Sequence, residues 1–284
     1  MLTRAVVDEV VTRALAEDAP WGDLTCEALV PADAWADAAL VAREPGTLAG
    51  VDVFARAMEL VGGGVEVTLL LRDGDRFEAG DVIARVAGPA RSVLGAERVA
   101  LNLVQRLTGV ATLTAAHVAA VAGTRARIAD TRKTTPGLRA LERHAVRCGG
   151  GSNHRFSLSD AVMAKDNHLA VLQASGVGLT EALRTARTRI PHTAHLEVEV
   201  DRLDQVEAVL AADVDTIMLD NFSLEDLATG VAQVAGRALV EASGGIDLGT
   251  VAAVAATGVD VISVGALTHA ARALDLGLDV TTGA

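Results

Sequence analysis

Residues 196–220 read LEVEVDRLDQVEAVLAADVDTIMLD, and the fold is decided in this stretch. Leu196–Val200 alternates aliphatic and acidic residues with a period of two, the mark of a strand with two different faces. Residues 202–211 then space their apolar positions for a helix. Thr216–Leu219 forms a second apolar strand that ends on Asp220. A strand, a helix and a second strand in so short a span make a parallel crossover unit. The pattern continues on both sides. Ile128, Val162–Ala164, Ala238–Val240 and Val261–Val264 are further strand candidates, with helices expected near 136–147, 178–189, 223–235 and 248–257. Parallel strands joined by crossover helices close most naturally into a barrel. Six strands fall short of eight, so the spacing predicts an open, incomplete TIM-like α/β barrel.

Upstream the pattern differs. Val6, Val7, Val10, Val11 and Leu15 form a helical stripe over residues 4–17, which the turn formers of Glu17–Asp23 interrupt. Short strands are expected at 38–50, 65–71 and 81–87, with a helix at 51–61 and a turn at Arg72–Asp75. This is an N-terminal α/β domain of the α+β kind. A long helical stretch over 91–122 follows, with Gly109 near its middle. We place the boundary within it, giving an N-terminal domain of residues 1–106 and a barrel domain of residues 107–284.

Composition narrows the function. Half of the 284 residues are hydrophobic, and the net charge is -12, which argues against nucleic acid as a partner, since that binding rests on neutralising phosphates. No stretch of about 18 residues stays apolar without a charge, so no membrane span is expected. Asp8 and Glu9 interrupt the place a secretory signal would need, and Cys26 and Cys148 form neither a disulfide framework nor a metal-ligand spacing; a cytoplasmic protein is expected. Within this acidic chain, residues 125–168 form a basic island, suited to steering a small anion into a cleft. Of the 25 basic residues only two are lysine, Lys133 and Lys165, and both fall in the island. Where arginine is used almost everywhere else, these two points call for a compact ammonium.

Polar residues gather where the strands end. Arg132 and Lys133 follow the first barrel strand and Lys165 ends the second. Glu199 lies near the end of the third, Asp220 ends the fourth, Glu241 and Ser243 end the fifth, and Gly265 follows the sixth. In a barrel these ends share one face, where the chemistry of such folds resides. Glu197 and Glu199 share a strand face and point inward if the aliphatics meet the helices; buried carboxylates then need a cation, hydroxyls or a metal. For Glu197 an internal salt bridge is an acceptable account. Ser243-Gly244-Gly245 supplies backbone N–H groups in a tight turn, and Gly265 with Thr268 and His269 repeats the arrangement, as phosphate-binding loops do. Arg132, Lys133, His154 and Arg155 lie around glycine-rich turns, where arginine forks suit planar carboxylates. His154 alone would read as a core histidine; beside Arg155 and a glycine run it reads as a ligand contact.

At these residues the sequence resembles the quinolinate phosphoribosyltransferases, also called nicotinate-nucleotide pyrophosphorylases (carboxylating). The matching runs are EDAPWGDLT, ERVALN, TRKTTPGLR, GGGSNHR, AKDNH, EVEV, MLDNF, EASGGI and VISVGALT, in order from residue 17 to 268. The resemblance implies that Arg98, Arg132, His154, Arg155 and Lys165 hold the quinolinate carboxylates. It implies that Lys133, Glu199 and Asp220 surround the ribose and leaving group of phosphoribosyl pyrophosphate, with Mg2+ on the pyrophosphate. Ser243, Gly244, Gly245 and Gly265 correspond to the loops for the 5′-phosphate. It further implies a homodimer with shared active sites, Arg98 reaching into the neighbour's; association beyond the dimer is left open. Lys133, Glu199 and Asp220 are the catalytic candidates.

Two other readings stay in view. One is a relative of the same fold that accepts nicotinate or nicotinamide without decarboxylation, or a molybdenum-associated relative, although so many cations suit a dicarboxylate better. A non-catalytic phosphosugar-binding module leaves Glu199 and Asp220 unexplained, since acids weaken anion capture.

Overall fold

The computed structural model describes residues 2–174 and 176–281. In chain order the first elements are α1 (Arg4–Asp18), α2 (Leu24–Leu29), β1 (Trp35–Ala42), β2 (Gly46–Thr47), α3 (Val51–Leu60), β3 (Glu66–Leu69), β4 (Arg76–Phe77), β5 (Val82–Pro89) and α4 (Ala90–Ala120). The rest are β6 (Arg127–Ala129), α5 (Arg139–Cys148), β7 (Val162–Ala164), α6 (Asp166–Ala174), α7 (Leu179–Arg189), β8 (Leu196–Val200), α8 (Val206–Leu210), β9 (Thr216–Asp220), α9 (Leu224–Val234), β10 (Leu239–Ser243), α10 (Val251–Ala256), β11 (Val261–Ser263), α11 (Ala266–His269) and β12 (Leu276–Thr281).

Two compact units result. One gathers residues 1–115, 133–150 and 267–284; the other gathers 116–132 and 151–266. Each is thus assembled from more than one stretch of chain, whereas a boundary at residue 106 divides the chain only once.

The first unit is built on an antiparallel sheet in the order β12-β1-β5-β3. β1 alternates strictly: Ala36, Ala38, Leu40 and Ala42 are buried and the residues between them face outward. The stretch expected as one strand over 38–50 is instead β1 and β2, broken at Arg43–Pro45, where proline cannot donate to a ladder. β12 pairs with β1 from Asp37↔Thr281 to Ala42↔Leu276. Sequence reasoning left this strand unassigned, because its partner lies at the other end of the chain. The short helix α2 was also unassigned; the Asp23 side chain caps it by accepting from Cys26 N at 3.0 Å.

In the second unit six parallel strands run in the order β6-β11-β10-β9-β8-β7, the expected open α/β barrel. The helix expected at 202–211 is a 3-10 turn, Leu203–Gln205, leading into the shorter α8. β10 runs further than expected, to Ser243, so its pairing with β9 continues to Ser243↔Asp220. The aliphatics of β8, Leu196, Val198 and Val200, are at most 1% exposed. Its glutamates alternate with them on the opposite face.

Candidate active site

The C-terminal strand ends of the barrel carry a polar cavity of about 560 Å³. Asp166 and Asn167 enter it from the start of α6, Glu199 from β8, and Asp220 and Asn221 from the end of β9. Glu199 is held in an ion pair with the Lys165 ammonium, which ends the β7 segment. Lys165 is partly exposed and Glu199 nearly buried, so the carboxylate gains a cation that remains open to solvent.

Beside this cavity the MLDNF and EASGGI turns lock together. The Asn221 amide N–H donates to the Ser243 carbonyl at 2.9 Å, and the Asn221 side chain donates to Asp220 Oδ2 at 2.6 Å. Gly244 has φ 97°, and a Cβ there would lie 2.2 Å from Asn221 Oδ1. Gly245 follows at φ 60°. Both the close approach and the left-handed backbone demand glycine, and successive N–H groups in such a turn make an anion-binding concavity.

A second cavity, of about 370 Å³, is lined by the first residues of the strands, including Arg127, Thr216 and Leu239, together with His154, Arg155, Glu197 and Glu241. Asp130, fully buried, organises the GGGSNHR loop that forms part of this wall. Its carboxylate accepts from the His154 amide N–H at 2.7 Å and from Asn153 Nδ2 at 2.6 Å. His154 Nε2 then lies 3.1 Å from Glu197 Oε2 and 3.4 Å from Glu241 Oε2. Burial opposes charge on this ring, yet the two carboxylates outweigh it and push it up to about 10. Burial also raises Glu197, and its bond to His154 only partly offsets that rise.

His154 Nδ1 meanwhile accepts the Arg155 amide N–H at 2.8 Å. A fully charged imidazolium, with a proton on each nitrogen, cannot accept that bond. Charging the ring therefore gives up the Arg155 bond and keeps the two carboxylates, and Nε2 carries a proton in either charge state. Glu197 Oε1, Glu241 Oε1 and Ser263 Oγ are buried without a hydrogen-bond partner among the described residues, so this interior remains polar and reactive toward further donors.

The sequence-derived residues therefore fall into three places. Glu199 and Asp220 line the first cavity, Lys165 is paired with Glu199, and Gly244 packs against Asn221. His154 and Arg155 share the second, and the Arg132 guanidinium is close enough to Arg155 to help lower it, after burial. Lys133 and Arg98 belong to the first compact unit, where the Lys133 carbonyl accepts from Thr268 Oγ1 at 2.6 Å. Arg98 is exposed on α4 between the partly buried Glu97 and the buried Val99. Asp130 and the part Glu241 plays as a partner of Glu197 were missed. Both signals were present in the chain as acids inside apolar strand segments, though only the fold shows what they face.

An open six-stranded barrel with ionised groups and a glycine turn at its C-terminal strand ends defines an α/β-barrel enzyme. The chain belongs to the quinolinate phosphoribosyl transferase family: the model of that family's N-terminal domain matches residues 23–108 and that of its C-terminal domain residues 110–279. The nicotinate-nucleotide pyrophosphorylase [carboxylating] of Mycobacterium leprae is 46% identical over 278 residues, covering 96% of both chains. A probable nicotinate-nucleotide pyrophosphorylase [carboxylating] of Bacillus subtilis is 41% identical over 265 residues, 93% of this chain and 90% of the relative. The crystal structure of NadC from Streptococcus pyogenes superposes with a TM-score of 0.94 at 42% identity, over 100% of this chain and 99% of that one.

Proposed function

We infer that this chain transfers phosphoribosyl from phosphoribosyl pyrophosphate to quinolinate and releases carbon dioxide, giving nicotinate mononucleotide and pyrophosphate. It is a phosphoribosyltransferase by family, and its relatives carry the carboxylating pyrophosphorylase name. The observation that carries the residue-level reading is the pairing of Lys165 with Glu199, whose carboxylate lines the same cavity as Asp220. Departure of pyrophosphate builds positive charge on the ribose, and Glu199 and Asp220 are placed to stabilise it electrostatically. The Lys165 ammonium holds Glu199 in position, and its open face suits a substrate carboxylate. The Ser243–Gly245 turn offers its N–H groups to the 5′-phosphate. Once the ring nitrogen is alkylated it is cationic; the electron pair of the breaking bond to the adjacent carboxylate stays on C2, stabilised by that charge, and C2 takes up a proton from solvent as carbon dioxide leaves. The protein's part in that step is positioning.

The cavity also suits Mg2+. Asp166, Glu199, Asp201 and Asp220 line it with hard carboxylate oxygens, the donor class magnesium takes. Mg2+ arriving with the pyrophosphate would neutralise charge on the leaving oxygens. The assembly we propose is a homodimer in which Arg98 serves the neighbour's site. Its exposure supports this, as do Trp21, Leu24 and Leu29 on the same unit, large apolar side chains 77% or more exposed. No helix of the described residues is long and apolar enough to cross a membrane, and we propose a cytoplasmic enzyme.

Substrate choice tests this reading. With phosphoribosyl pyrophosphate and Mg2+ supplied, quinolinate should turn over and nicotinate should be a poor substrate. Nicotinate lacks the second carboxylate and so forfeits the charge-assisted bonds that the cations would make to it. Comparable turnover of the two acids would favour a non-decarboxylating relative.

A further inference from the structure

In the first compact unit, well apart in role from the residues above, three side chains of different chemistry converge. His144 and Cys148 stand one helical turn apart on α5, so their side chains share a face. Asp73 comes from the turn between β3 and β4. Its Oδ2 lies 2.6 Å from His144 Nε2, and Cys148 Sγ lies 3.4 Å from the same nitrogen. All three ligand atoms lie within 4.8 Å of one another. The cluster is partly open: the side chains of His144 and Asp73 are 30% and 16% exposed.

We propose that Asp73, His144 and Cys148 form a binding site for a borderline-soft divalent cation of the zinc class, with solvent completing the coordination. One nitrogen, one carboxylate oxygen and one sulfur are a ligand set that zinc accepts. The geometry is close to what a tetrahedral ion needs. With zinc–nitrogen and zinc–oxygen bonds of about 2.0–2.2 Å and zinc–sulfur of about 2.3 Å, the nitrogen–sulfur edge is about 3.5 Å and the nitrogen–oxygen edge about 3.3 Å. The first is already in place; the His144–Asp73 contact must open by about 0.7 Å, and the Asp73–Cys148 edge, within 4.8 Å, must settle near about 3.5 Å.

The second oxygen of Asp73 supports the site from behind. It accepts the Val51 amide N–H at 3.0 Å, at the start of α3, and so fixes the carboxylate as outer partners of a metal ligand do. Bound metal would tie the C-terminal half of α5 to the Arg72–Asp75 turn and, through Asp73, to α3. All of these lie in one unit, so the site is complete within the single chain.

Cobalt(II) is the probe. Metal-stripped full-length protein titrated with Co2+ should develop the near-ultraviolet thiolate-to-cobalt charge-transfer band, saturating at one ion per chain and discharged by Zn2+. The band should vanish in Cys148→Ser, persist in Cys26→Ser, and need about tenfold or more additional Co2+ in His144→Gln. Co2+ held by the acidic barrel cavity gives no thiolate band, so the signal separates the two sites. A second measurement needs no variant: one equivalent of Zn2+ should slow iodoacetamide alkylation of Cys148 in the wild-type protein, read by peptide mass. Absence of the band in wild type, its persistence in Cys148→Ser, or unaltered alkylation of Cys148 under Zn2+ would overturn the proposal.

Discussion

At the residue scale the central fact is how the barrel keeps charges that it has removed from water. Glu199 has Lys165, and Glu197 and Glu241 have His154 between them. The second arrangement makes a sharp prediction. A raised histidine contributes stability that is complete below its ordinary value of 6.5 and is lost as pH rises through about 10. Around neutral pH the wild-type ring therefore stays protonated at Nε2, and its titration leaves kcat/KM unchanged there. In Glu197→Gln one of the two carboxylates that hold the proton is gone, and the basic limb of the pH profile should move toward the ordinary histidine value. A profile identical to wild type would mean that Glu197 does nothing to the ring. The sequence showed that Glu197 faces inward, because LEVEV alternates. It did not show that the partner is a histidine from GGGSNHR, since the pairing depends on where Asp130 anchors that loop.

At the scale of elements, the strand–helix alternation from Arg127 onward was legible because each strand is apolar and each helix starts at a break in the pattern. The first domain was legible only in part. β12 completes its sheet from residues 276–281, a pairing that no local pattern encodes. Buried polar links between elements were also hidden. Glu142 of α5 is fully buried and accepts from Arg106 of α4 at 3.0 Å and from the Thr135 amide N–H at 3.0 Å. Read alone, its helix shows only a basic face. Gly109, near the middle of α4, has a packing reason: a Cβ there would lie 1.9 Å from the Arg272 carbonyl oxygen. Gly109→Ala should gain a little helix propensity but lose more to overpacking, for a net destabilisation of about 1–3 kcal/mol. Urea unfolding of the two proteins measures it; equal or greater stability in the variant would show that residues 272–273 yield freely.

At the scale of the whole molecule, the proposed dimer makes each chain serve two sites, Lys133 acting in its own and Arg98 in its neighbour's. Arg98→Ala and Lys133→Ala should each be nearly inactive alone. When the two variants are dissociated, mixed and reassembled, each heterodimer should recover one working site, in which an intact Lys133 receives an intact Arg98 from its partner. The other site carries both lesions. Heterodimers verified by mass that stay as inactive as the parents would show that Arg98 acts within its own chain.

The central claim, however, is the chemistry, and the fate of one carboxylate tests it most directly. Quinolinate labelled at the carboxyl group on C2 is incubated with the enzyme, phosphoribosyl pyrophosphate and Mg2+, and labelled carbon dioxide and nucleotide are counted together. The account predicts that label appears as carbon dioxide one-for-one with nicotinate mononucleotide, and only when phosphoribosyl pyrophosphate is present. Label retained in the nucleotide, or carbon dioxide released without the phosphoribosyl donor, would contradict it.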